Sequence, residues 1–97
     1  MPTPPIAKLQ KAVRDLYGCD SVFVECVTVV EIVGDRTVWT GLVCIFDLVD
    51  YSRTTRAYAW MDDGEDGERP IVALHVPPID SPRAAVRAKG GHGKRPG

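Results

Sequence analysis

The stretch "SVFVECVTVVEIVGDRTVWTGLVCIFDLV", residues 21–49, decides the fold. Its two halves are dense in β-branched and aromatic residues, and Gly34-Asp35 between them is a dipeptide suited to a tight hairpin turn. Two long antiparallel strands are therefore expected, over residues 21–33 and 37–49. Their register stays open. A two-residue turn pairs positions of opposite parity, whereas a three-residue loop pairs like parities and sets Cys26 against Cys44.

Before this hairpin the spacing is helical. Ile6, Leu9, Val13, Leu16 and Tyr17 recur on one side, with Lys8, Lys11, Arg14 and Asp15 on the other. Thr3 is placed to cap that helix, Pro4 suits its first turn and Gly18 its end. After the hairpin a third strand is expected over 54–61 and a fourth over 70–76, joined by the acidic loop "DDGEDGE" and stopped by Pro77-Pro78. Asp80 or Ser81 then caps a short helix that begins near Pro82 and ends at Gly90-Gly91. The order describes an α+β protein: an N-terminal helix packed on a four-stranded antiparallel meander sheet, with a short C-terminal helix. One domain should span residues 1–89, and residues 90–97 should form a disordered basic tail.

The net charge of −1 hides an uneven distribution. Residues 21–80 carry eleven acids against four arginines, while residues 81–97 carry five basic groups and no acid. No run approaches the ~18 apolar residues of a membrane span. Three cysteines without a C-x-x-C pair suggest neither a zinc site nor a disulfide framework. Cys26 and Cys44, inside apolar runs, read as small buried hydrophobes in a reducing compartment. A soluble cytoplasmic protein without cofactor or metal is expected.

Arg56, Tyr58 and Trp60 in "RAYAW" (56–60) should share one face, leaving Ala57 and Ala59 to lie beneath the first helix, since small residues let a helix approach a sheet. The strands are apolar on both faces, more than one long and one short helix should cover, so a second copy or another protein is expected to meet the remaining face. The candidate contact surface is Trp39, Arg56, Tyr58, Trp60 and His75, residue types that dominate binding hot spots. One alternative is a nucleic-acid-binding module that uses the basic C-terminal end through Arg83, Arg87 and Lys89. Another is a small ligand-binding protein or enzyme with His75 in a pocket. Sequence motifs for nucleophilic, zinc-dependent, P-loop or dinucleotide chemistry are missing. The helix, strands, helix order is shared with the double-stranded RNA-binding domain. However, the "GDR" turn is short for reaching a minor groove and "SPRAAVRAK" lacks that family's lysine cluster, so the chain is not placed there.

Overall fold

The computed structural model describes residues 5–64 and 67–89. It is α+β, with two helices and an antiparallel sheet. The elements run α1 (Ile6–Tyr17), β1 (Ser21–Val33), β2 (Arg36–Leu48), β3 (Arg56–Gly64), β4 (Gly67–Leu74) and α2 (Pro82–Lys89). Among the described residues the strands lie in the order β1-β2-β3-β4, each antiparallel to the next.

Pro5 stands at the start of α1, its carbonyl accepting from the Leu9 N–H; Thr3 and Pro4 lie outside the described residues. Gly18 ends the helix with φ 68°, its N–H donating to the Arg14 carbonyl, a left-handed cap that glycine adopts without steric cost. At the start of α2 the Ser81 hydroxyl accepts from the Ala84 N–H, so Ser81, of the two candidates, is the cap. The expected tail, residues 90–97, lies outside the described residues.

Both registers left open by the sequence occur in one hairpin. Val33 pairs with Arg36 and Ile32 with Thr37 around a two-residue turn in which Gly34 has φ 65°. A shift between Ile32 and Glu31 then converts the ladder to like parity, from Glu31↔Trp39 to Glu25↔Ile45. A second shift between Glu25 and Phe23 restores the first register and sets Phe23 against Phe46. Each shift adds one residue to one strand and turns the residues beyond it onto the other face. Phe23 thereby joins the face of Cys26, and its ring meets Phe46 edge-on at 5.8 Å.

The same shifts place Cys26 opposite Cys44, and the two are joined in a disulfide. This corrects the expectation of free, reduced cysteines and removes the argument from them for a reducing compartment. Cys19 remains a free thiol, packed at the margin of the first core.

The sheet has a core on each face. On one, Leu9, Ala12 and Val13 of α1 cover Cys44, Phe46, Leu48, Ala57, Ala59, Val72 and Leu74. Ala57 and Ala59 thus lie under α1, as their size requires. On the other, Ala85 and Val86 of α2 close over Val29, Val43, Ile45, Tyr58, Trp60 and Ala73. The acidic segment differs from a plain loop: pairing of β3 with β4 continues through Asp62↔Arg69 and Asp63↔Glu68 to Gly64↔Gly67.

Candidate functional site

β2 pairs with β3 only from Cys44↔Ala59 to Asp47↔Arg56. Beyond Cys44 the sheet forks into two hairpin arms, β1–β2 and β3–β4. Trp39 and Trp60 meet at the fork, ring centroids 6.3 Å apart and planes at 70°. Gly41 makes this possible. A Cβ there would stand 2.7 Å from the Trp39 ring, so the indole lies over a backbone that has no side chain.

The expected aromatic set does gather on one face, but α2 lies over it. Trp60 is fully buried and Tyr58 is 2% exposed. An open contact surface across these two rings is therefore replaced by the second core of the single chain. α2 presents small residues, Ala85 and Val86, which let the helix approach the aromatic face closely and which make no marked apolar stripe in the sequence. Two arginines hold it there. Arg83 donates to the Val30 carbonyl at 3.1 Å, and Arg87 donates to both Glu31 carboxylate oxygens, at 2.9 and 3.4 Å. Glu31 is buried while most of Arg87 faces water. The bonded carboxylate raises the Arg87 pKa, so the guanidinium stays charged. Arg83 and Arg87, expected as phosphate contacts, are thus engaged inside the molecule; Lys89 is exposed at the helix end.

At the closed end of the sheet, Arg56 and His75 line an open pocket of about 430 Å³ with Asp47, Leu48 and Thr55. The His75 backbone is tied on both sides, its N–H to the Arg56 carbonyl and its carbonyl to the Thr54 hydroxyl. Its Nδ1 stands 2.6 Å from the Tyr58 hydroxyl. Burial, aided by Asp80 and opposed by Arg56, raises the Tyr58 pKa and keeps the phenol protonated. The phenol and the imidazole are thus joined by a hydrogen bond whose direction follows the imidazole tautomer. Arg56 Nε donates to Asp47 at 3.1 Å. The pocket is polar and mixed in charge. Among the described residues there is no cluster of three or more metal-ligating side chains.

Burial also raises the Tyr17 pKa, helped by Tyr51 and opposed by Arg53. Both tyrosines favour the folded state while protonated, so their contribution is complete below pH 10.0, the ordinary tyrosine value, and is lost as pH rises beyond it. Alkaline titration at 295 nm alongside circular dichroism should show late phenolate formation coinciding with loss of structure. Full ionisation near pH 10 with the dichroism intact would contradict this.

The large apolar side chains that remain open are elsewhere. Val22, Phe23, Val24, Ile32 and Val33 on β1 are exposed, with Leu42 on β2 opposite Thr28, Leu16 on α1 and Val49 after β2. A cleft of about 540 Å³ lies at the start of β1, between Gln10, Lys11 and Arg14 of α1 and Ser21 and Val22. The sequence suggested an uncovered apolar surface but not its place, because the two register shifts decide which β1 residues turn inward. Among the described residues no helix is long and apolar enough to cross a membrane. In comparisons with protein-family models, curated proteins and solved structures, the chain matches none.

Proposed function

We propose that the protein is a non-catalytic interaction domain that self-associates along the β1 flank of its sheet. One observation carries the reading: of the eight large apolar residues exposed among the described residues, five lie on β1, toward its two ends, and a sixth, Leu42, lies on β2 opposite Thr28. Apolar groups concentrated on one flank mark an association surface, whereas single exposed ones need no explanation. The internal use of Arg83 and Arg87 and the net charge of −1 favour a protein partner over a polyanion. A second copy is the partner, since two-fold homodimers are the commonest assembly.

Light scattering on a size-exclusion column, over a hundredfold range of concentration, should give twice the chain mass at the upper end. Val22→Asp with Val24→Asp should return the chain mass with unchanged circular dichroism. A monomer at every concentration would overturn the reading and move attention to the pocket at His75 as a small-ligand site.

A further inference from the structure

We infer that the second copy adds to the sheet edge-on, β1 against β1 in antiparallel pairing, so that the two sheets become continuous. This rests on self-association through the β1 flank and specifies the bonds that form.

An edge strand offers backbone donors and acceptors at every second residue, and the geometry of the inner pairing says which. Cys26 and Cys44 have Cα atoms 4.0 Å apart, the narrow spacing of a pair that exchanges no backbone hydrogen bonds. The N–H and carbonyl of Cys26 therefore point away from β2, as do those of Thr28 and Val30 within the same stretch of register. An independent contact agrees. The Val30 carbonyl accepts from Arg83, a side chain reaching in from outside the ladder.

The two edges of the sheet differ in protection. β4 is eight residues long and carries Glu68, Arg69 and Pro70, the charges and proline that discourage strand addition. β1 is thirteen residues long and has no lysine, arginine or proline. Its guards stand toward its ends: the register shift at Phe23/Glu25 on one side, and Arg83 with the inward Glu31 on the other. Between them, among the described residues, no such guard stands at Cys26 or Thr28.

A strand that fits must itself be open over the same few residues, and a second β1 is. Centring the pair on Thr28 would bring Cys26 of the second copy against Val30, where Arg83 stands. Centring it on Cys26 or Val27 sets Val22 or Val24 of the second copy opposite Val30 instead, and the ladder then ends short of Arg83, at Thr28 or Val29. Either centre sets Glu25 opposite Val27 or Val29 of the second copy, never opposite the second Glu25, so like charges do not face each other. Val22 and Val24 of each copy then approach the far half of the other strand.

The test is amide hydrogen exchange read by NMR at concentrations where the chain is mainly monomer and mainly dimer. The Cys26 and Thr28 amides should slow at least tenfold in the dimer. The Val27 and Val29 amides, already bonded to β2, should change little. Thr28→Pro removes one outward donor where an edge strand tolerates proline, and should give a folded monomer. A dimer whose Cys26 and Thr28 amides exchange as fast as in the monomer would overturn edge pairing while leaving self-association standing. The absence of any dimer would overturn both. If Thr28→Pro fails to fold, the wild-type exchange rates decide alone.

Discussion

Trp60→Ala is expected to destabilise the fold by about 3–5 kcal/mol, the range for truncating a large aromatic side chain in a packed core. Trp60 is fully buried, shares its core with Val29, Val43, Ala85 and Val86, and meets Trp39 edge-on at the fork of the two arms. The consequence extends to α2. An eight-residue helix is too short to persist in water by itself, so its docking on this face maintains it. Emptying the site should loosen α2, expose Tyr58 and increase binding of a hydrophobic dye well before global unfolding. Urea denaturation followed by far-ultraviolet dichroism measures the first effect and dye fluorescence the second. Trp60→Phe is the informative control. It keeps an aromatic ring and removes an indole N–H that has no acceptor within hydrogen-bond distance among the described residues, so it should cost much less. An unchanged midpoint for Trp60→Ala would mean that α2 does not close this face in solution. The aromatic surface would then be open after all.

That closure marks the boundary of what the sequence made legible. The helical spacing of Ile6, Leu9, Val13 and Tyr17, the Gly34-Asp35 turn, and the small pair Ala57 and Ala59 each reflect local periodicity or side-chain size, and each is found in its expected role; Leu16, on the same side of α1 by spacing, is exposed near the helix end. On β4 Val72 and Leu74 face one core and Ala73 the other in plain alternation, because no register shift interrupts that strand's pairing with β3. β1 was harder. Its apolar residues continue through both register shifts, so the pattern gives no sign that Phe23 and Cys26 share a face. The cover over Trp60 was hidden for another reason. Ala85 and Val86 form too small a stripe to announce a core, and the arginines that fix them reach Val30 and Glu31 more than fifty residues away. Composition alone suggests a loop for the acidic segment. Yet its backbone pairing extends through Asp62↔Arg69 to Gly64↔Gly67.

The second large effect concerns the residues those shifts bring together. Reducing the Cys26–Cys44 bond is expected to lower stability by about 3 kcal/mol, the chain-entropy value for releasing a loop of this size. The two cysteines are 18 positions apart, and the bond ties the edge strand to β2, which contributes to both cores. The single substitutions should not be equivalent. Cys44 is 1% exposed beneath α1, so Cys44→Ser adds an unpaired buried hydroxyl to the loss of the bond. Cys26 is only partly buried, so Cys26→Ser leaves a small hydrophobic thiol in the core and should cost less. Urea midpoints of the oxidised, reduced and two substituted proteins give the order, with the reduced protein near Cys26→Ser and Cys44→Ser below both. Thiol counting establishes the premise. The denatured protein should take up one alkylating group, at Cys19, before reduction and three after it. Three before reduction would show that the hairpin is held by side-chain packing and backbone pairing alone, and the difference between the two serine variants would then measure burial without any cross-link.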